Sequence, residues 1–79
     1  MATAEITRSI DARGMACPGP LMALIGAIRT AHVGDVFEVL SSDEGSKTDI
    51  PAWVEKAQHE LVEVVPEDGY ARFVIRKAR

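Results

Sequence analysis

Two prolines open the longest apolar run in the chain. Pro18 and Pro20 stand at the start of a stretch that stays almost free of polar residues as far as residue 28. Proline is favoured in the first turn of a helix, because its missing N–H would have no partner there and its fixed φ suits the helix. Four large apolar residues then recur at helical spacing: Leu21, Leu24, Ile25 and Ile28. The stretch predicts a helix from Pro18 to about Ala31, with Cys17 at or next to its N-cap.

The remainder of the chain alternates between strand and helix patterns. Four strands are predicted from β-branched and alternating segments: Ala4–Ile10, Val36–Ser41, Val62–Pro66 and Tyr70–Lys77. Between the second and third strands a helical pattern runs to about His59. Two starts are possible for this helix. Ser46 with Asp49 three residues later resembles a capping box, but a start there places Pro51 in the helix interior. We expect a start at Asp49, because Pro51 then falls in the first turn. Gly34 is the expected left-handed residue that ends the first helix.

The order of these elements is βαβαββ. Residues 67–69 (Glu-Asp-Gly) are a hairpin signal between the last two strands. Alternate residues of the last strand are apolar on one side and mostly polar on the other, as in a sheet that is covered on one face. The pattern predicts an α/β fold, a two-layer α/β sandwich in which two helices cover one face of a four-stranded mixed sheet. We expect residues 1–79 to form a single domain.

Composition and charge exclude several classes of protein. The formal net charge is −3, whereas a general nucleic-acid binder is usually basic, so direct nucleic-acid binding is not expected. No apolar run approaches the ~20 residues needed to span a bilayer, and the first residues lack a secretory signal pattern. The chain has one cysteine and cannot form an internal disulfide. We therefore expect a cytoplasmic protein with no membrane partner.

The residues around the single thiol decide which chemistry is possible. A cysteine hydrolase needs a histidine within hydrogen-bond reach. His32 is expected about 20 Å from Cys17 along ~14 helical residues, and His59 is expected at the same far edge. We interpret both histidines as cations near helix C-termini. One cysteine and two remote histidines make neither a zinc site nor a dithiol oxidoreductase, and no glycine-rich phosphate loop is present. No metal or cofactor is expected.

The remaining chemistry is that of one thiol acting alone. Cys17 could attack a sulfur atom, hold it as a persulfide and yield it to another thiol. The helix dipole favours the thiolate by about 0.3–1 kcal/mol, and Arg13 is the nearest obvious cation. Pro18 and Pro20 withhold two N–H donors, so they direct the thiol more than they activate it. The alternative at this point is a buried, inert cysteine before a helix.

The segment from Ile10 to Leu21, Ile-Asp-Ala-Arg-Gly-Met-Ala-Cys-Pro-Gly-Pro-Leu, resembles the signature of the TusA/SirA-like sulfur carriers. The likeness continues through residues 49–51 (Asp-Ile-Pro) and the last strand, so it covers nearly the whole chain. It implies the βαβαββ fold and identifies Cys17 as the persulfide carrier. Pro18, Gly19 and Pro20 then belong to the motif. Three further residues are supporting candidates: Asp11, Arg13 and Asp49.

The resemblance also implies partners. The sulfur donor would be a cysteine desulfurase or a rhodanese-like protein, and the acceptor a downstream carrier of the DsrE/TusD kind. The family serves tRNA thiolation, molybdenum-cofactor supply and oxidative sulfur metabolism, and the sequence does not choose among them.

Two alternatives of other classes remain. The first is a non-catalytic interaction module that docks a partner through the apolar surface around Cys17, including Met15 and Met22. The second is RNA contact through one face of the last strand, carried by four residues: Tyr70, Arg72, Arg76 and Lys77. The acidic total disfavours the second.

Overall fold

The computed structural model describes residues 6–16 and 18–79. The elements follow in the order β1 (Arg8–Asp11), α1 (Gly19–Arg29), β2 (Val36–Ser41), α2 (Ser46–Lys56), β3 (Glu60–Glu67) and β4 (Tyr70–Arg76). The strands form one sheet in the order β1-β2-β4-β3, in which β1 and β2 are parallel and the other pairs are antiparallel. The predicted βαβαββ order and four-stranded mixed sheet with two helices are confirmed.

The core lies between the helices and one face of the sheet. Its largest fully buried members come from α1, α2 and four strand positions: Leu24, Ile50, Val54, Phe37, Val39, Phe73 and Ile75. Alternate residues of β2 and β4 supply the sheet side, as the period of two requires. Within the described part of the chain, no helix is long and apolar enough to cross a membrane.

Helix α1 is shorter than predicted at both ends. It begins at Gly19 with Pro18 as its N-cap, and it ends at Arg29 rather than at Ala31. Gly34 does have a positive φ of 97°, but it lies in the turn before β2 and does not end the helix. The C-terminal carbonyls of α1 are bound instead by Lys77, whose Nζ donates to the carbonyl oxygens of Ile28 and Ala31 at 2.8 Å each.

The buried stripe of α1 also differs from the predicted one. Ala27 is buried in the core, although it is not one of the four large apolar residues that predicted the helix. Ile25, which is one of those four, is only half-buried. A small residue lets the helix backbone lie close to its neighbours, so Ala27 occupies a position that spacing of large residues alone does not reveal.

The predicted start of α2 is wrong. The helix begins at Ser46, three residues before Asp49, and contains Pro51 in its interior. Gly45 donates its N–H to the Asp43 carboxylate, and the buried Ser46 hydroxyl pairs with that of Ser41 at 2.8 Å. These contacts secure the extra turn, so tertiary packing overrides the local cost of an internal proline.

The end of α2 is a Schellman motif. The helix stops at Lys56 rather than near His59, because Gln58 adopts a positive φ of 65°. The N–H groups of Gln58 and His59 donate to the carbonyls of Glu55 and Val54, which is the paired bonding of that motif. A glycine usually takes this position, and its absence hid the boundary.

The strands follow their predicted places with shifted ends. Strand β2 has the predicted bounds, and β4 ends one residue early at Arg76. Strand β3 is longer than predicted, since its first residues pair with β4 across an irregularity at Leu61 and Glu63. The hairpin is confirmed: Glu67 pairs with Tyr70, and Gly69 has a φ of 88°. The first strand was predicted from Ala4, which lies outside the described residues; the strand observed begins at Arg8.

Candidate functional site

Three chain segments meet at one edge of the sheet. Strands β1 and β2 are parallel and both end there, at Asp11 and Ser41. Strand β4 begins at the same edge, because Ser41 pairs with Ala71. The loop that contains position 17, the loop before α2 and the β3–β4 hairpin therefore lie side by side. Open α/β sheets carry their sites at such carboxyl ends.

The loop that leads to position 17 is held by backbone hydrogen bonds. Ala12 is fully buried and donates its N–H to the Leu40 carbonyl at 2.8 Å, continuing the β1–β2 ladder. Gly14, with a φ of 87°, donates to the Ser42 hydroxyl at 3.0 Å. Met15 donates to the Ala12 carbonyl at 3.2 Å. The N–H groups of Ala12, Gly14 and Met15 thus each have a fixed partner.

Cys17 itself lies outside the described residues, but both of its neighbours are described. The Gly19 N–H donates to the Ala16 carbonyl at 2.7 Å, so a hydrogen-bonded turn spans position 17. Pro18 and Pro20 have no N–H, and that of Gly19 is engaged in this bond. The opening turn of α1 consequently offers fewer donors to an anion than an ordinary helix N-terminus does.

Gly19 packs closely against Met15. A Cβ atom at position 19 would lie 3.2 Å from the Met15 Cβ, which is closer than ordinary van der Waals contact. A larger residue between the two prolines would need Met15 to shift by a few tenths of an ångström. The motif glycine therefore lets the loop fold back on the start of α1.

Asp11 and Arg13 form a bidentate ion pair at the start of the loop. The Nε and Nη2 groups of Arg13 donate to the two Asp11 carboxylate oxygens at 2.9 Å each, and the Arg13 N–H donates to the same carboxylate at 3.2 Å. These hydrogen bonds lower the pKa of Asp11 to about 2 and raise the pKa of Arg13. The charge of Arg13, expected to favour the thiolate, is matched by a carboxylate.

Tyr70 is a residue of this edge that the sequence did not link to the loop. Its ring lies under the Arg13 guanidinium, with 5.0 Å from Cζ to the ring centroid, within the range of a cation–π contact. The sequence placed Tyr70 after the hairpin glycine and on one face of the last strand, and neither position predicts a contact with Arg13. Arg13 is thus bound by Asp11 and Tyr70 together.

Tyr70 also borders a polar cleft of about 200 Å³. The lining comes from the end of β2, the start of α2 and the hairpin, and it includes Ser42, Lys47 and Glu67. Asp49, a supporting candidate, lies in the first turn of α2 on this side, where its N–H donates to the Gly45 carbonyl.

Two methionines are exposed beside the loop. Met15 is 46% exposed and Met22 is 58% exposed. Met22 lies in the first half of α1 and faces solvent, whereas Ala27 in the second half is buried. Exposed methionine offers an adaptable apolar contact.

The two histidines lie at the other ends of the helices. His32 follows α1, whose 11 residues span roughly 16 Å, and His59 follows α2. Burial, Lys77 and Arg79 lower the pKa of His59, and its Nδ1 accepts the Ala78 N–H at 3.1 Å. His59 is therefore a neutral acceptor, and its interpretation as a helix-end cation is wrong.

The cations of the open sheet face are paired. Arg72 binds Glu38 at 3.1 Å and Glu63 at 3.4 Å, and Arg76 binds Glu60. Lys77 is occupied at the end of α1. The three cations on which an RNA-binding interpretation depends thus face carboxylates or carbonyls.

Comparison with known proteins gives a consistent family. The family model described as Sulfurtransferase TusA matches residues 8–77. A "Putative sulfur carrier protein" of Archaeoglobus fulgidus is 57% identical over 70 residues, which cover 89% of this chain and 96% of the relative. "Sulfur carrier protein TusA" of Pseudomonas aeruginosa is 35% identical over 75 residues, which cover 95% of each chain.

A solved structure supports the same fold. The SirA-like protein of Desulfitobacterium hafniense superposes with a TM-score of 0.81 at 24% identity, covering 92% of this chain and 100% of that one. The family match spans the site loop, both helices and all four strands. The chain belongs to the TusA family of sulfur carriers.

Proposed function

We propose that this protein is a sulfurtransferase that carries sulfane sulfur as a persulfide on Cys17. Membership of the TusA family carries the proposal. The loop geometry supports it, because the backbone on both sides of position 17 is held by hydrogen bonds while the flanking Pro18 is exposed. Pro18, Gly19 and Pro20 shape the turn, and Asp11, Arg13 and Asp49 support the surrounding edge.

The proposed cycle conserves atoms and charge. The Cys17 thiolate attacks the terminal sulfur of a donor persulfide, the new S–S bond forms on Cys17, and the donor leaves as a thiolate. An acceptor thiolate then attacks the terminal sulfur and releases the Cys17 thiolate. A cysteine desulfurase or a rhodanese-like protein is the proposed donor, and a DsrE/TusD-like protein is the proposed acceptor, in the cytoplasm. The pathway served is one of tRNA thiolation, molybdenum-cofactor supply or oxidative sulfur metabolism.

Loading tests this proposal. The chain is incubated with a cysteine desulfurase and cysteine, or with a rhodanese and thiosulfate, and its intact mass is measured. We expect a gain of one sulfur atom that a reductant removes and that the Cys17→Ser variant lacks. No gain from either donor would contradict the carrier role.

The exposed methionines favour one second candidate, a non-catalytic interaction module. In that case the surface formed by Met15 and Met22 would bind a partner regardless of the thiol. A partner retained equally by wild type and Cys17→Ser, together with no sulfur adduct, would favour this function.

A further inference from the structure

The contact between Arg13 and Tyr70 joins two strands that are not neighbours in the sheet. Arg13 follows β1, Tyr70 begins β4, and β2 lies between these strands. The guanidinium lies over the Tyr70 ring at 5.0 Å. This contact therefore crosses the end of β2 and ties the loop before position 17 to the hairpin.

The tyrosine end of this contact is firmly placed. Tyr70 pairs with Glu67 across the two-residue turn that Gly69 permits, and its successor Ala71 is buried opposite Ser41. The ring is itself half-buried. The Tyr70 ring therefore provides a fixed surface against which the long side chain of Arg13 packs.

The orientation of the Arg13 guanidinium is fixed by contacts to both its edge and its face. Its two hydrogen bonds to the Asp11 carboxylate fix the guanidinium edge, and Tyr70 contacts its face. A planar guanidinium can use edge and face at once, which a lysine cannot do. Because its charge is matched by Asp11, this arrangement suits mechanical support better than electrostatic activation of a thiol.

We propose that Tyr70 is a positioning residue for Cys17. Tyr70 holds Arg13, and through Arg13 the loop before position 17, against the start of β4. The expected effect on the rate of sulfur transfer rests on the proposed sulfur-carrier function. The expected effect on the loop rests on the described contacts alone. Holding this loop limits the motion of the backbone that leads to position 17, which is the basis of the expected effect on sulfur transfer.

The test compares Tyr70→Leu, Tyr70→Phe and Arg13→Gln, with Arg29→Gln as the control for loss of a positive charge. Arg29 is exposed at the opposite end of α1. Three quantities are measured: amide hydrogen exchange at Gly14 and Met15, the pH midpoint of Cys17 alkylation by iodoacetamide, and the rate of sulfur transfer to an acceptor thiol.

We expect faster exchange and roughly two- to five-fold slower transfer in Tyr70→Leu and Arg13→Gln. Tyr70→Phe keeps the aromatic face and should behave as wild type, as should Arg29→Gln. The Tyr70→Leu/Arg13→Gln double variant should be no worse than Arg13→Gln alone, because Arg13→Gln already removes the contact with Tyr70. The alkylation midpoint should stay within about 0.3 pH units of wild type in every variant.

Two results would overturn the inference. The first is wild-type exchange at Gly14 and Met15 in Tyr70→Leu. The second is an upward shift of about one pH unit in the Arg13→Gln midpoint, which would make Arg13 a direct electrostatic partner of the thiol. If the wild-type chain accepts no sulfur, the proposed function fails, while exchange and alkylation still decide the role of Tyr70.

Discussion

Arg13 carries a positive charge four residues before Cys17, yet that charge is matched within the loop. The Asp11 carboxylate binds it in bidentate fashion, and the pKa of Asp11 falls to about 2. Above pH 3.8, the ordinary pKa of aspartate, the ionised Asp11 carboxylate thus stabilises the folded loop. This contribution is lost as the pH falls through about 2, which is the pKa of Asp11 in the folded protein. The ion pair stays intact over the pH range in which a cysteine titrates.

His59 predicts a different pH dependence at the opposite edge. Its pKa in the folded protein lies below the ordinary 6.5, because of burial and then of Lys77 and Arg79. The folded state resists protonation, so its stability is fully present above pH 6.5 and declines as the pH falls from there to the lower folded value.

Urea unfolding between pH 8 and pH 5, followed by the fluorescence of Trp53, measures this decline. The Trp53 ring lies 5.6 Å from that of His59, so the signal reports on the same region. The decline should be smaller in His59→Gln and unchanged in His32→Gln, since His32 is exposed. An unchanged decline in His59→Gln would exclude His59 as its cause.

Helix α1 shows how a local signal can place an element and leave its packing open. Pro18 and Pro20 predicted the start of the helix to within one residue, since proline suits a first turn. The burial of Ala27 and the binding of the helix end by Lys77 depend on distant residues, and no local pattern contains them. The sequence motif predicted Asp11 and Arg13 as supporting residues, but the contact of Arg13 with Tyr70 depends on the sheet order.

Helix α2 shows the opposite outcome. Proline chemistry predicted a start at Asp49, and the buried contact between Ser41 and Ser46 moved it to Ser46. At the other end, Gln58 takes a left-handed conformation that usually marks a glycine. Both boundaries were decided by tertiary packing or by an atypical cap, which local propensity does not reveal.

The two motif prolines should have separable effects. Pro18 is exposed, whereas Pro20 is among the fully buried side chains. Pro18→Ala should change the free energy of unfolding by less than about 0.5 kcal/mol and slow transfer to the acceptor, because the turn next to position 17 loses a residue with a fixed φ. Pro20→Ala should slow transfer and also lower stability by about 1–2 kcal/mol through lost packing.

Val54→Ala is the matched control for lost packing, because Val54 is buried in α2 away from the motif. It should lower stability without slowing transfer by the folded protein. Single-turnover transfer rates and urea unfolding measure both effects. Wild-type transfer rates in both proline variants would contradict a directing role for the motif.

At the scale of the whole molecule, the two faces of the sheet differ in chemistry. One face is covered by the helices, and on the other the described arginines pair with glutamates. The β1 and β2 ends, the start of α1 and the hairpin share one edge, where Met15, Met22 and the polar cleft are exposed. This edge therefore combines apolar and polar surface around the position proposed to carry sulfur.

The central claim is that Cys17 both accepts and releases sulfur. Wild-type protein loaded by a cysteine desulfurase is separated from the donor and mixed with a reduced DsrE/TusD-like acceptor, and both intact masses are followed with time. We expect the loaded chain to lose one sulfur atom as the acceptor gains it, and Cys17→Ser to enter neither step. Sulfur gained equally by Cys17→Ser, or retained by the loaded chain with no gain by the acceptor, would contradict a sulfur relay through Cys17.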